Sequence, residues 1–253
     1  MTAMLISALM LALPVFAAKR AQATEVHFTA ADGVTVYADL YEAPGGKAAP
    51  LIILYHQARS NGRGEYGPII PRLEALGYNL LVVDQRSGGS LYGASNRTVD
   101  ALGYSTPYCD AYPDMVAALD YVINDGFTGP RFAWGSSYSA ALVLKLAGER
   151  SRDLTAALAF SPAAGAGMGD CSADLFIDGV GVPLIVFSPR SEMRFRQIQF
   201  ERLRAHGAQT FVAEHGVHGS SMLVEQRTHA DTSATWAAVI AFLHAHDGRR
   251  HEP

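Results

Sequence analysis

What most constrains this chain is the order in which two hydrophobic periods follow one another. Two short runs, Glu25 to Thr29 and Val34 to Tyr41, flank Ala31-Asp32-Gly33, the signature of a hairpin. The next run, Pro50-Leu-Ile-Ile-Leu-Tyr-His56, is too apolar to be half exposed and reads as a central strand covered on both faces. From there a regular rhythm sets in. A helix over Tyr66 to Leu76 precedes a strand over Asn79 to Asp84, and a helix over Ala111 to Asn124 precedes a strand over Arg131 to Trp134. Helix Ser137 to Glu149, strand Leu154 to Phe160, strand Pro183 to Phe187, helix Glu192 to His206, strand Gln209 to Ala213 and helix Asp231 to His246 complete it. Such alternation requires right-handed crossovers, and so an α/β fold with a mostly parallel eight-stranded sheet and helices on both faces. Sites in that architecture lie at the carboxyl ends of the strands.

The N-terminal residues stand apart from this rhythm. Met4 to Phe16 is an apolar run too short for a comfortable membrane span, followed by small residues ending in Ala21-Gln22-Ala23. It reads as a signal peptide over residues 1–23, leaving a domain over 24–253 that is exported, periplasmic or secreted, with no stable membrane insertion. Lys19 and Arg20 follow the apolar run instead of preceding it, so an uncleaved anchor is the alternative. Cleavage removes those two cations and leaves 18 basic against 24 acidic residues, a net charge of −6 against −4 for the whole chain. No basic excess is available for a phosphate backbone, which argues against a nucleic-acid partner. The two cysteines, Cys109 and Cys171, are too few for a four-thiolate zinc site. Both fall in connections at the carboxyl edge, and export would let them pair as a disulfide.

Chemistry concentrates in one turn. Gly135-Ser136-Ser137-Tyr138-Ser139 joins a strand directly to an amphipathic helix, with Ser137 at the tip. A sharp turn of this kind holds its tip side chain above the sheet and aims the helix N-terminus, with its free N–H groups and dipole, at the same spot. The alternative is that these serines only cap the helix. A nucleophilic serine needs a base, and the nine histidines sort by position. His206, His244, His246 and His251 end helices or lie in the tail. His218, in Glu214-His-Gly-Val-His218-Gly-Ser-Ser, follows the last strand in a glycine-containing loop at the carboxyl edge. His215 is its competitor, and His215-x-x-His218 as a metal pair lacks a supporting carboxylate or thiol cluster. The base needs a carboxylate in turn. Glu192 follows the strand Pro183 to Phe187 and is the only acid between Asp178 and Glu201, with Asp170 and Asp174 as rivals one connection earlier. Ser137, Glu192 and His218 each lie beyond a different strand.

With these residues in hand, the chain resembles the α/β-hydrolase superfamily, and within it the small dienelactone-hydrolase-like and esterase-like members. The resemblance spans nearly the whole of 24–253: the antiparallel opening pair, the strand ending His56-Gln57-Ala58, Asp84-Gln-Arg-Ser-Gly-Gly-Ser90 after the next strand, the elbow, and His218-Gly219. It implies an α/β-hydrolase fold, a nucleophile at Ser137, and the order nucleophile, acid, histidine on Ser137, Glu192 and His218. It also implies oxyanion donors from the backbone N–H of Tyr138 and of Ala58 or Gln57. The expected reaction is acyl transfer on a small-molecule ester or related acyl substrate, with no metal and no organic cofactor. Two positions depart from the superfamily's pattern. Ser139 stands where the elbow usually ends in glycine, and Gln57 follows His56 where glycine is usual. Only about twenty residues, Ser161 to Val182, connect Phe160 to the next strand, so no large cap domain is expected.

Two other functions compete. Gly62-Arg-Gly64-Glu-Tyr-Gly67 matches the dinucleotide pattern Gly-x-Gly-x-x-Gly, with Asp84 ending the next strand, as a nicotinamide-dependent oxidoreductase would require. Against it, Gln57 to Asn61 separate the strand from the first glycine, and Pro68 and Pro71 bracket the expected helix start. The third function is a hydrolase-fold protein that binds without catalysis, since a fold does not guarantee chemistry.

Overall fold

The structure is a computed structural model and describes residues 23–251, so the apolar N-terminal run and the last two residues lie outside it. Strands β1 (Thr24–Thr29), β2 (Thr35–Tyr41) and β3 (Leu51–Tyr55) are followed by helices α1 (Gly62–Tyr66) and α2 (Ile70–Ala75). Strand β4 (Asn79–Asp84), helices α3 (Arg97–Leu102) and α4 (Tyr112–Asn124), strand β5 (Arg131–Ser136) and helix α5 (Tyr138–Glu149) come next. Strands β6 (Ala156–Phe160) and β7 (Leu184–Pro189), helix α6 (Met193–Ala205), strand β8 (Gln209–Ala213) and helices α7 (Glu225–Thr228) and α8 (Ser233–His246) close the chain.

One eight-stranded sheet results, in the order β1-β2-β4-β3-β5-β6-β7-β8, with β2 antiparallel to both neighbours and every other pairing parallel. β3 sits between β4 and β5 and every one of its residues is buried, as its unbroken apolar run requires. Successive side chains alternate between two cores. Leu51, Ile53, Tyr55, Ala133 and Ala159 pack with α4 and α5, while Ile52, Leu54, Trp134 and Phe160 pack with α1, α2 and α8. On the second face the Trp134 and Phe160 rings stack at 4.6 Å and Phe160 on Phe187 at 4.4 Å, binding β5, β6 and β7 at their carboxyl ends.

Of the helix expected over Tyr66 to Leu76, only α2 forms, and a separate short helix, α1, ends at Tyr66 ahead of it. Pro68 has no N–H with which to continue α1, and Pro71 falls in the first turn of α2, where none is needed. α3 was not expected: it is six residues long, too short for a period, and is set by Asn96, whose side chain accepts the Val99 N–H at 2.9 Å. The connection from β6 to β7 is a series of short 3₁₀ turns between Ala166 and Gly179.

Candidate active site

Strand β5 runs through Ser136 and α5 begins at Tyr138, leaving Ser137 alone in the turn with φ 60° and ψ −117°. A non-glycine residue held there costs about 1–3 kcal/mol. The surroundings enforce it. The Ser137 N–H donates to Phe160 O at 2.8 Å, and the Ser137 carbonyl accepts from Ala163 at 3.1 Å. A Cβ on Gly135 would lie 2.5 Å from Ser139 O, so only glycine permits this approach of strand and helix. The Ser137 side chain makes no cap hydrogen bond to α5, which removes the capping role from this serine. Its neighbours at the carboxyl edge share the left-handed backbone: Arg59 beyond β3 has φ 63° and Ser161 beyond β6 has φ 50°.

The structure brings His218 and Glu192 together. His218 Nδ1 lies 2.6 Å from Glu192 Oε1, while Arg196 Nε donates to Glu192 Oε2 at 2.7 Å. Burial favours the neutral acid at Glu192, but the hydrogen bond and charge of His218, and then Arg196, outweigh it and hold the carboxyl down at about 2. An ionised Glu192 fixes the proton on Nδ1 and leaves Nε2 as the nitrogen able to accept one. The loop carrying His218 is seated on the elbow. Ser220 N–H donates to Ser136 Oγ at 2.9 Å, Gly219 N–H to Ser161 Oγ at 3.1 Å, and Trp134 Nε1 to Ser220 Oγ at 2.9 Å. Gly219, at φ 68°, would place a Cβ 2.3 Å from Ser136 Oγ, so the loop depends on glycine here. No hydrogen bond joins Ser137 to His218 among the described residues; in unliganded sites such bonds are commonly long and tighten with substrate.

Of the expected oxyanion donors, Gln57 is corrected. Its N–H donates to Glu65 Oε2 at 2.5 Å, so it is already spent on a buried carboxylate. Ala58 and Tyr138 remain, Tyr138 being the first residue of α5, whose N–H has no acceptor within the helix. Beneath this loop His56 is fully buried, its Nδ1–H donating to Gln57 O at 2.8 Å and its Nε2 accepting the Gln85 N–H at 3.0 Å. Burial lowers its pKa, so it is a neutral structural imidazole.

The rivals lie elsewhere. Among the described residues His215, unlike His218, makes no hydrogen bond to a carboxylate, and Asp174 receives Gln199 Nε2 at 3.0 Å instead of a histidine. Asp170 is exposed in the 3₁₀ segment that also carries Cys171. Cys171 is disulfide-bonded to Cys109, Cα to Cα 5.5 Å, which joins the loop before α4 to the loop after β6. That bridge borders a cavity of about 680 Å³ lined by Arg59, Tyr108, Cys109 and Met168 among others. The Tyr108 ring stacks at 5.0 Å on that of Tyr138, next to Ser137. Among the described residues, ligand atoms of metal-binding type converge at His244, Asp247 and His251, where Asp247 also accepts from Tyr78 and pairs with Arg249.

The glycine pattern at Gly62 does not form a phosphate cradle. The Gly62 N–H donates to Asp84 Oδ1 at 2.8 Å and the Gly64 N–H to Asn61 Oδ1 at 2.7 Å, so the N–H groups that would meet a pyrophosphate are consumed. Asp84 itself is buried and paired with Arg97 at 2.8 Å, far from the role of a ribose ligand. Glu65, inside that same pattern, is a buried acid at the site's edge that sequence reasoning did not single out. Its only signal was an acid followed by tyrosine in a run that folds against a buried strand.

No family model matches the chain, and no curated protein does. Solved structures do. The Pyrococcus furiosus esterase Pf2001 superposes with a TM-score of 0.70 at 16% identity over 90% of this chain and 92% of the esterase. A dienelactone hydrolase from Anabaena variabilis gives 0.64 at 13% identity over 90% and 99%. The Pyrococcus horikoshii acylaminoacyl peptidase gives 0.66 at 13% identity, covering 93% of this chain and 43% of the peptidase. These likenesses, with the strand order and the elbow, establish that the chain has the α/β-hydrolase fold.

Proposed function

We propose that this protein is a serine hydrolase acting on a carboxylic ester or related acyl bond of a small molecule. The observation that carries the reading is the Glu192–His218 pair at 2.6 Å, seated by Ser136 and Ser161 on the turn that holds Ser137 uncapped. In this mechanism Ser137 Oγ attacks the acyl carbonyl as His218 Nε2 takes its proton. The N–H groups of Tyr138 and Ala58 receive the oxyanion, aided by the N-terminal dipole of α5. His218 returns the proton to the leaving alcohol, and water, activated by the same imidazole, releases the acid from the acyl-enzyme. Glu192 stabilises the imidazolium at each stage. The cavity beside Tyr108 is the natural seat for part of the substrate. Export is part of the proposal, supported by the Cys109–Cys171 bridge, which persists in oxidising compartments.

The test is labelling of the folded protein with a fluorophosphonate, locating the adduct by peptide mass spectrometry, with Ser137→Ala as control. An adduct on Ser137 that disappears in the control is expected. Folded protein that takes no label would overturn the hydrolase reading and leave ligand binding without turnover.

A further inference from the structure

Glu65 is 1% exposed, and an acid withdrawn so fully from water needs a reason. Its surroundings supply one, because three segments of the proposed site meet on it. Its Oε2 accepts the Gln57 N–H at 2.5 Å, one residue before the donor Ala58. The Ser136 hydroxyl, next to Ser137, lies close enough to stabilise the charged form, and that hydroxyl also accepts the Ser220 N–H from the histidine loop. A Cβ on Gly219 would fall 2.3 Å from Ser136 Oγ, 2.9 Å from Gln57 Oε1 and 3.7 Å from Glu65 Oε1, so oxyanion loop, elbow and histidine loop converge at one point. Arg227 of α7 locks α1 in place from the far side. It donates to the carbonyls of Gly64 at 2.7 Å and Glu65 at 2.9 Å and to Ser221 Oγ at 3.1 Å, and its guanidinium lies 3.7 Å over the Tyr92 ring.

We propose that Glu65 is a positioning residue for acyl transfer: its ionised carboxylate clamps the Gln57 N–H and thereby sets the direction of the next N–H, that of Ala58, toward the oxyanion. The inference rests on the hydrolase reading and deepens it. The charge matters because a hydrogen bond to a carboxylate is roughly twice as strong as one to a neutral carbonyl. Burial pushes the carboxyl up to about 7, against the pull of Ser136, the Gln57 N–H, Arg227 and His218. Tyr66 on α1 and Tyr138 on α5 also face it; burial first, and then charges that include Glu65, raise their phenols well above the usual range, so they stay neutral. The clamp therefore weakens as pH falls through neutrality.

The experiment is steady-state hydrolysis of p-nitrophenyl acetate from pH 5.5 to 9 by the wild-type protein and Glu65→Gln, with folding of the variant checked by thermal melting. At pH 8 the variant is expected to lose about tenfold in kcat with KM within about twofold, because a misdirected donor is felt in the transition state and not in binding. Its acid limb is expected to follow one proton where the wild type follows two. Unchanged kcat, or a wild-type acid limb of one proton, overturns the inference. If Glu65→Gln does not fold, the protection factor of the Gln57 amide in the wild-type protein decides instead: a fall on going from pH 8 to pH 5.5 is expected, and constant protection overturns the clamp. Wild-type protein that forms no fluorophosphonate adduct at Ser137 removes both readings, whereas an adduct with unchanged kcat in Glu65→Gln removes this one alone.

Discussion

A carboxylate held where Glu65 is held must cost stability, and the cost has a defined pH dependence. Its folded-state pKa of about 7 lies above the ordinary value of 4.5, so the folded protein binds this proton more tightly than the unfolded chain does. Stability from this group is therefore fully present below pH 4.5 and is lost as pH rises through 7. Between pH 5 and pH 8 the loss integrates to about 2.5 kcal/mol, and at 1% exposure no discount for solvent screening applies. Glu65→Gln has no proton to lose. Urea unfolding of both proteins at pH 5 and pH 8 isolates the term, because hydrogen bonds altered by the amide, being independent of pH, cancel in the difference between the two pH values. The wild-type protein is expected to lose about 2.5 kcal/mol more than the variant on going to pH 8, or about 5–10 °C in Tm for a chain of this size. Parallel pH dependences, agreeing within about 0.5 kcal/mol, would refute the reasoning and mean that water reaches the carboxylate. A variant more stable at pH 8 yet slower in turnover would mark Glu65 as a residue kept for function at the expense of stability.

Glu192→Gln removes the acceptor that fixes the His218 tautomer, so kcat should fall about a thousandfold or more with the fold intact, while Asp174→Asn, whose partner is Gln199, should leave kcat unchanged. With the Glu192 carboxyl held at about 2 against an ordinary 4.5, its pairing stabilises the fold above pH 4.5 and is lost as pH falls toward 2; an acid-unfolding midpoint that does not shift in Glu192→Gln would contradict this. The disulfide closes a loop of 62 residues, which by chain entropy is worth about 4 kcal/mol; urea unfolding of a Cys109→Ser, Cys171→Ser double variant should show a loss of that order, and an unchanged midpoint would show that the loops are held without it.

The sheet was legible because burial on both faces writes itself into unbroken runs such as Leu51 to Tyr55, and the crossover rule does the rest. The elbow was legible for the same reason, since a strand running into a helix through small residues leaves little choice of geometry. What a local pattern cannot carry is a partner far away in the chain. Whether Ser137 caps α5 depends on its backbone angles, which are imposed by Phe160 and Ala163. Whether the Gln57 N–H is free or already bonded depends on a carboxylate eight residues further on, across a turn. α3 escaped notice because its placement comes from Arg97 reaching Asp84 and Asp39, not from any apolar period. Gly62 to Gly67 misleads by pattern alone, because the Gly62 and Gly64 N–H groups are committed to Asp84 and Asn61.

The two departures from the superfamily's usual glycines turn out to answer one another. Ser139 is fully buried, and its hydroxyl would cost about 1–3 kcal/mol if unpaired. It donates to His56 O at 2.5 Å and lies 3.0 Å from Gln85 Oε1, tying the first turn of α5 to the ends of β3 and β4. His56 completes the tie through its ring, which bridges Gln57 O and the Gln85 N–H. The backbone at residues 56 and 57 is thus gripped from below by Ser139 and from above by Glu65, and neither residue has positive φ. The left-handed turn that reverses the chain falls instead on Arg59, two residues later. Glycine is unnecessary after His56 for that reason: polar contacts, rather than backbone freedom, set the path of the loop. A serine at 139 and a glutamate at 65 are then two parts of one solution to holding the backbone at His56 and Gln57.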